Sequence, residues 1–408
     1  MLSDRLTRSF FMSIGKMLMS AILSLSCFSM AAGEWAEWRG PEMDGIAKGE
    51  KFDASSLGSA KVTWKADLGP GYSIVAVAGG KVYSLGNKNN NDVIYCLDEA
   101  TGKTLWEYSY PCQATSNYPG TRATPVLSGK SVFVFSRDGD LVCVDADGGK
   151  LIWKKNVKEL SAGVPQWGFS SSAVVRNGVV MVNAGNHGMA FDAKTGKDVW
   201  ENKGVVGGYA SVVPFKSGGA EYAAVFGEKA LYVVDMKKGT TKASFQWETS
   251  YNVNSPDPMI LDNGSSIFIS SGYGRGCAML SFKGGKLEKV WENKSLSSHF
   301  PSPVLVDGFI YGVAGQAGQG SLVCIDKSGK QKWKGNTGFG AFVVVDKTII
   351  YLTEGGNLIA VKASPDSYQE ITKFNTGIGG TCWNMPVFCN GKIYCRTEKG
   401  ALAAVSVK

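Results

Sequence analysis

The sequence predicts an all-β protein, an eight-bladed β-propeller of four-stranded antiparallel blades. Three observations predict it: a tryptophan recurs at a nearly constant interval, each interval holds short alternating strands, and glycine-containing turns separate those strands. Glycine accounts for 52 of the 408 residues, as expected of a turn-rich chain. The hydrophobic share of 44% excludes a disordered chain, so the protein is globular.

A repeat of 41 to 47 residues runs through most of the chain, and a large aromatic residue, the anchor, ends each unit. Helical solenoids need long segments with a 3.6-residue period, whereas these units hold strands of four to six residues. The repeat is therefore typical of propeller blades, and counting the anchors gives eight. The anchors are Trp64, Trp106, Trp153, Trp200, Trp247, Trp291, Trp333 and Phe374.

The two ends of the repeat region predict how the ring closes. Trp64 lies in a strand without a blade of its own, and only three strands follow Phe374. Pairing residues 61–68 with the C-terminal strands would complete the eighth blade and remove two unpaired edges. We therefore expect a monomeric propeller over residues 61–408 that is closed by its N-terminal strand.

Aspartate and glycine form the turn before several anchors. A short carboxylate there accepts backbone N–H hydrogen bonds, and the glycine adopts a positive φ. The tryptophan then supplies a flat surface that packs on the neighbouring blade. These residues are predicted to be structural: Asp98, Asp145, Asp192 and Asp326, with Gly102, Gly149, Gly196 and Gly329.

Residues 1–32 are typical of an export signal, because basic residues precede an apolar run from Leu18 to Met30 and small residues follow it. That run is too short for a membrane span, so we expect a periplasmic or otherwise exported mature chain without one; a retained anchor is the alternative. Cys27 resembles a lipoprotein cysteine, although Ser24 stands where that signal prefers leucine. A lipid anchor, with outer-membrane association, stays open.

Charge and cysteine spacing narrow the function classes. The net charge is +8, but basic residues stand singly among acidic ones, so we expect no nucleic-acid partner. Three cysteines share one repeat position, which predicts separate buried thiols, whereas three others lie close in sequence and leave one disulfide open. The first set is Cys96, Cys143 and Cys324, and the second is Cys382, Cys389 and Cys395.

The residues shortly after each anchor predict a candidate ligand site, because in a propeller the residue before each innermost strand faces the central funnel. Aromatic residues and an arginine dominate there, a mixture suited to stacking a planar ligand or binding an extended peptide or glycan. The alternative is that they plug the narrow end of the channel. The ring is Tyr72, Arg122, Phe169, Tyr209, Asn254, His299, Phe339 and Trp383, with Trp167 and Asn384 at its border.

Histidine-based chemistry has little support. The sequence holds two histidines, His187 and His299, and neither has a partner at metal-ligand spacing. We therefore expect no zinc site and no Ser/His/Asp triad.

The motif Ala-x-Asp-x-x-Thr-Gly-x-x-x-Trp resembles the tryptophan-docking repeat of pyrroloquinoline quinone (PQQ) dehydrogenases and of the related BamB propellers. Ala190, Asp192, Thr195, Gly196 and Trp200 match every position. The resemblance covers residues 61–408 and implies the propeller fold.

A second likeness lies before the propeller. Trp38, Arg39, Gly40 and Pro41, followed by Asp44 and Gly45, resemble the start of exported bacterial PQQ-like propeller proteins. Residues 33–60 are accordingly expected to form an arm that packs on a propeller face. That family carries no catalytic residue to transfer to this chain.

The resemblance implies two functions. The first is a non-catalytic scaffold that binds an envelope protein or polysaccharide through its funnel or loop face, and here no catalytic residue, metal or cofactor is assigned. The alternative is a PQQ-dependent alcohol or sugar dehydrogenase with Ca²⁺, with Arg122 at the quinone oxygens and Trp383 beneath the ring. Such dehydrogenases are longer, carry adjacent cysteines and bind Ca²⁺ beside a catalytic aspartate, and no Cys-Cys pair occurs here.

Overall fold

The computed structural model of the protein describes residues 34–407 apart from residues 116, 161–162 and 205–206. The predicted export signal and Cys27 therefore lie outside the described residues. In the described part of the chain, no helix has the length and apolar character needed to cross a membrane. Among these described residues, four short 3-10 helices occur, at Ala54–Ser59, Val157–Leu160, Ser250–Asn252 and Asp262–Gly264.

Eight four-stranded antiparallel sheets form a ring, which confirms the predicted eight-bladed propeller. Each blade runs outward from a short innermost strand, and the chain then returns to the centre for the next blade. The first four blades are β2 (Ala76–Ala78), β3 (Lys81–Lys88), β4 (Asn91–Asp98) and β5 (Thr104–Pro111); β6 (Val126–Ser128), β7 (Ser131–Phe135), β8 (Asp140–Asp145) and β9 (Leu151–Asn156); β10 (Val174–Arg176), β11 (Val179–Val182), β12 (Met189–Asp192) and β13 (Asp198–Trp200); and β14 (Val213–Ser217), β15 (Ala220–Phe226), β16 (Ala230–Asp235) and β17 (Thr241–Gln246).

The remaining blades follow the same order, and the eighth takes its outer strand from the start of the propeller. They are β18 (Met259–Leu261), β19 (Ser266–Ser271), β20 (Gly276–Lys283) and β21 (Lys286–Asn293); β22 (Val304–Val306), β23 (Phe309–Ala314), β24 (Ser321–Asp326) and β25 (Gln331–Lys334); β26 (Gly340–Val345), β27 (Thr348–Thr353), β28 (Asn357–Lys362) and β29 (Glu370–Asn375); and β30 (Val387–Cys389), β31 (Lys392–Arg396), β32 (Ala401–Ser406) and β1 (Lys61–Asp67).

The ring closes as predicted, because β1 pairs antiparallel with β32, with Lys61 opposite Ser406 and Trp64 opposite Ala404. Closure places the first and last strands in one sheet. The pairing gives β1 a partner and covers the edge of β32 that would otherwise be exposed.

A docking tryptophan joins most neighbouring blades. In one example the Trp106 indole Nε1 donates a 3.1 Å hydrogen bond to the carbonyl oxygen of Ala146 in the next blade. Gly149, with φ of 69°, lies beneath that ring, and a Cβ there would come within 2.5 Å of it. Glycine is therefore required both by the backbone conformation and by the close approach of the indole.

The docking position is the residue of the outermost strand that pairs with the third strand next to a bulge. Two of the eight anchors do not occupy it. Trp106 pairs with Cys96 there, whereas the equivalent residues of the fourth and seventh blades are Ala243 and Thr372. Trp247 instead lies just past its strand and donates to the Ser271 hydroxyl at 3.0 Å. Trp247 follows Trp200 by 47 residues, which matches the repeat length, but it does not hold the docking position of its blade.

The arm takes the place of the missing docking residue at the seventh blade. Its 3-10 helix, Ala54–Ser59, packs against β28 and β29, and Leu57 is fully buried there. Phe374, the eighth anchor, packs against the same hydrophobic cluster, and Phe52 contacts Phe388 of the next blade at 5.4 Å. Burial of aliphatic and aromatic side chains thus joins the last two blades without a docking tryptophan from the seventh blade.

The eight cysteines of the described residues are buried, and no disulfide joins them. Those at the shared repeat position lie in separate blades, as the repeat predicts. The bridge left open among the three C-terminal cysteines is not formed.

Candidate ligand-binding cavity

A cavity of about 510 Å³ lies at the centre of the ring, on the face where the chain enters each innermost strand. A volume of this size is in the range of small-molecule pockets, which lie between about 300 and 1,000 Å³. Seven of the ten predicted site residues line it: Tyr72, Arg122, Trp167, Tyr209, His299, Trp383 and Asn384.

The other three predicted residues do not line the cavity. Phe169 is fully buried and packs 4.9 Å from Phe135, and Phe339 lies in the core between the sixth and seventh blades. The Asn254 amide is buried and donates to the carbonyl oxygens of Gly227, Glu228 and Trp247. The expectation that one position per blade faces the funnel is therefore wrong for these blades, because their loops direct that side chain into the blade interface.

Several cavity residues were not predicted. The prediction took one residue from each blade. The missed residues come from elsewhere: the arm, hairpins between strands, and other positions in the entry loops. Tyr118 could have been found, since it lies four residues before Arg122 in the same loop. The missed residues include Trp38, Tyr118, Asp257, Tyr273, Phe300 and Glu354.

Aromatic side chains form a continuous wall. The rings of Tyr72 and Trp383 stack at 5.6 Å with an interplanar angle of 19°, and Phe300 lies 5.4 Å from Trp383. Tyr118 lies 5.6 Å from Trp383 and 5.7 Å from Trp167. Flat apolar faces of this kind bind other flat or apolar groups by burial and dispersion.

Arg122 carries the cationic group of the cavity. Its guanidinium lies 5.5 Å from the Tyr72 ring centroid, and Nη2 donates to the Tyr118 carbonyl oxygen at 2.9 Å. Its Nε is buried and has no hydrogen-bond partner, and among the described residues no carboxylate lies within ion-pair distance. Burial lowers the pKa of Arg122 to about 10, so the group is charged at neutral pH.

The two carboxylates of the cavity are held by the protein. Glu354 accepts hydrogen bonds from the Trp383 indole at 2.5 Å and from the Gly318 N–H at 3.0 Å. Asp257 accepts from the Trp38 indole and from the Ser211 N–H, each at 2.7 Å. These oxygens are therefore engaged in positioning the wall.

His299 is a structural residue of the wall. Its Nδ1 accepts a 3.4 Å hydrogen bond from the Ala317 N–H, and its Nε2 lies 2.9 Å from the Tyr273 hydroxyl. Burial lowers the pKa of His299 to about 4, so the ring is neutral at physiological pH. Since Nδ1 accepts, the proton of the neutral ring is on Nε2.

The arm lies across the opposite end of the channel. Trp35 pairs with Val77 of the first blade, and the Glu37 carboxylate binds Arg176 of the third blade through two 2.9 Å hydrogen bonds. Arg39 is buried, donates to the Pro303 carbonyl oxygen at 2.7 Å and lies 3.8 Å from Asp257. These contacts hold Trp38 in the cavity lining and lay the arm across the end of the channel opposite the entry loops.

Sequence comparison finds two kinds of relative. Quinohemoprotein alcohol dehydrogenase ADH IIB of Pseudomonas putida is 28% identical over 184 residues, covering 42% of this chain and 26% of that protein. Outer membrane protein assembly factor BamB of Yersinia pestis is 26% identical over 262 residues, covering 59% of this chain and 63% of that protein. The chain thus spans about a quarter of the length of the curated dehydrogenases that it matches.

Solved structures of both kinds share the fold. BamB from Moraxella catarrhalis has a TM-score of 0.65 at 14% identity, covering 85% of this chain and 99% of that chain. Quinohemoprotein alcohol dehydrogenase from Comamonas testosteroni has a TM-score of 0.71 at 13% identity, covering 92% and 80%. At these identities the likeness establishes the propeller and says nothing of the ligand.

The cavity does not fit the calcium–quinone site that the resemblance implies. Its aromatic wall and Arg122 suit a planar anion, but the metal would need several oxygen ligands. Within the described ranges, no group of three or more His, Cys, Asp or Glu side chains is placed to hold a metal ion. Both cavity carboxylates, moreover, already accept hydrogen bonds from the protein.

The docking repeats carry the family assignment. A family model described as outer membrane protein assembly factor BamB matches residues 52–119 and 90–334, which is more than half of the chain. The matched segments include every docking tryptophan from Trp64 to Trp333. The chain therefore belongs to the PQQ-like β-propeller family whose model bears the description of BamB.

Proposed function

We propose that this protein is a non-catalytic propeller scaffold that binds a protein or polymer of the cell envelope through its loop face. The observation that carries the proposal is an open aromatic cavity whose one cation, Arg122, lacks a carboxylate partner, with no metal-binding cluster in the described residues. Such a cavity has groups for binding and lacks an evident group for chemistry.

The mouth of the cavity favours a macromolecule over a small metabolite. Tyr118 and Tyr251 are 45% and 65% exposed, and both lie in connections that lead to an innermost strand on the cavity face, Tyr251 within the 3-10 helix Ser250–Asn252. Tyr251 packs on Tyr273 at 5.2 Å, which links the exposed rim to the cavity lining. Exposed aromatic residues around a pocket are typical of interaction surfaces.

The family supports an envelope partner. The Yersinia pestis relative is named for outer membrane protein assembly, and it covers more of this chain than the dehydrogenase alignments do. A chain exported by the predicted signal would meet partners of that compartment. Its partner is therefore proposed to be an envelope protein or polysaccharide.

A PQQ-dependent dehydrogenase is the second candidate, favoured by the stacked Tyr72 and Trp383 rings beside Arg122 and by the curated relatives. Calorimetric titration with PQQ and Ca²⁺ separates the two candidates. The scaffold predicts no heat of binding at about micromolar concentrations, where specific cofactors bind. Tight binding accompanied by alcohol turnover would replace the scaffold proposal.

Site-specific photo-cross-linking tests the scaffold directly. A photoreactive phenylalanine at Tyr251, on the rim, should yield a discrete adduct in envelope extracts. The matched control is the same residue at Val290, which is 61% exposed but lies on the outer strand β21. Adducts at position 290 alone, or none at 251, would contradict binding through the loop face.

A further inference from the structure

We infer that the cavity binds the C-terminal carboxylate of a polypeptide, with the last side chain against the aromatic wall. This inference rests on the proposed function and names the part of the partner that enters the cavity. Three observations support it: the arm lies across one end of the channel, one cation has no carboxylate partner among the described residues, and apolar ring faces lie beside that cation.

The arm across the channel favours a chain end. Trp38 lines the cavity from the arm, and its indole is fixed by the 2.7 Å hydrogen bond to Asp257. The arm around it is held to the first and third blades by Trp35 and Glu37. An occupant therefore enters and leaves by the same mouth, which suits a terminus better than a chain that passes through.

Arg122 offers an anion a local partner beside the aromatic wall. It alone among the described lining residues is a lysine or arginine, and within the described residues no carboxylate pairs with it. Of the two cavity carboxylates, Asp257 lies 3.8 Å from Arg39, and Glu354 is bound by the Trp383 indole and the Gly318 N–H. A carboxylate at Arg122 would gain charge-assisted hydrogen bonds in a partly desolvated site.

The ring faces beside Arg122 favour a C-terminal carboxylate over other carboxylates. Tyr72 lies under the guanidinium and stacks on Trp383, so an apolar group must lie close to the anion. In a C-terminal residue the carboxylate and the side chain branch from one carbon, and both contacts can form together. An internal Asp or Glu lacks that second group, and the hydroxyls of a uronate sugar would meet apolar faces instead of hydrogen-bond partners.

Calorimetry on the full chain with a matched pair of probes tests the inference. The probes are N-acetyl-Ala-Ala-Phe with a free carboxyl terminus and the same peptide as its carboxamide. We expect the acid to bind at least about tenfold more tightly than the amide. Arg122→Gln should reduce the affinity for the acid to about that for the amide and leave the amide unchanged.

Lys347→Gln is the charge-matched control, since Lys347 is exposed and pairs with Asp307 outside the cavity. Circular dichroism checks that each variant is folded. Equal affinities for acid and amide, no binding of either at about 1 mM, or a preference that survives Arg122→Gln would overturn the inference. Binding of trigalacturonate or PQQ without binding of the peptide acid would also overturn it. A cross-linked adduct at position 251 would in that case still support the proposed function.

Discussion

The two ends of the central channel are built from similar residues but differ in how their polar groups are satisfied. At the arm end, buried Arg39 lies against Asp257 and donates to the Pro303 carbonyl oxygen. At the loop end, half-buried Arg122 has one protein acceptor and an Nε without a partner. This comparison fits the proposed function, in which Arg39 stabilises the fold and Arg122 binds the ligand.

The largest expected effect separates these two arginines. Arg39→Ala should lower the free energy of unfolding by about 3–5 kcal/mol, because it leaves the Asp257 carboxylate buried without its cation. Arg122→Gln should lower it by less than about 1 kcal/mol, since no ion pair is lost. Urea denaturation of both variants measures the difference. Equal losses would contradict the assignment of separate roles to the two ends.

A pH titration tests whether burial in the cavity lining keeps His299 neutral. The folded state keeps His299 neutral down to a pKa of about 4, whereas the unfolded chain binds a proton at the ordinary value of 6.5. Stability should therefore fall as pH decreases from 6.5 towards 4, by up to about 3 kcal/mol from this residue. His299→Gln should reduce that loss in urea denaturation. An unchanged pH profile in the variant would show that His299 is not held neutral.

Glycine substitutions extend the test to the blade interfaces. Gly149 and Gly80 have φ of 69° and 71°, but only Gly149 lies beneath an indole. Gly80→Ala should cost about 1 kcal/mol from backbone strain, and Gly149→Ala about 2–4 kcal/mol because the Trp106 ring must also move. Thermal unfolding of the pair isolates the docking contribution. Equal costs would mean that indole docking adds no stability.

The smallest effect on stability is expected at the rim. Tyr118 is 45% exposed, so Tyr118→Ala should change the free energy of unfolding by about 0.5 kcal/mol or less. The same variant should weaken binding of the N-acetyl-Ala-Ala-Phe acid severalfold, because an aromatic wall residue is lost. Calorimetry and urea denaturation together give both values. A large loss of stability with unchanged binding would show that Tyr118 stabilises the fold and does not bind the peptide.

The sequence predicted the ring and its closure because the docking residues act locally. Each glycine that needs a positive φ and each indole that covers it recur at a fixed spacing. The same spacing misled at Trp247, where Ala243 holds the docking position that strand pairing defines. A count of residues between aromatic anchors cannot detect a shift within one strand.

The cavity was predicted less well, because it depends on contacts between distant parts of the chain. Trp38 and Asp257 are 219 residues apart, and no local pattern connects an arm indole with a blade carboxylate. Asn254 and Phe339 stand at the predicted positions, yet local loop conformation directs both side chains away from the channel. Residue type identified the aromatic character of the site, and only the fold showed which rings face it.

Oxidative footprinting of the purified chain, with and without solubilised envelope fraction, shows whether the loop face is the binding surface. Modification is read at exposed apolar residues of two surfaces: Tyr118 and Tyr251 on the rim, and Leu105 and Val290 on the outer strands. Binding through the loop face should protect the two rim tyrosines and leave modification of the outer-strand residues unchanged. Protection of Leu105 and Val290, with the rim still fully modified, would contradict it.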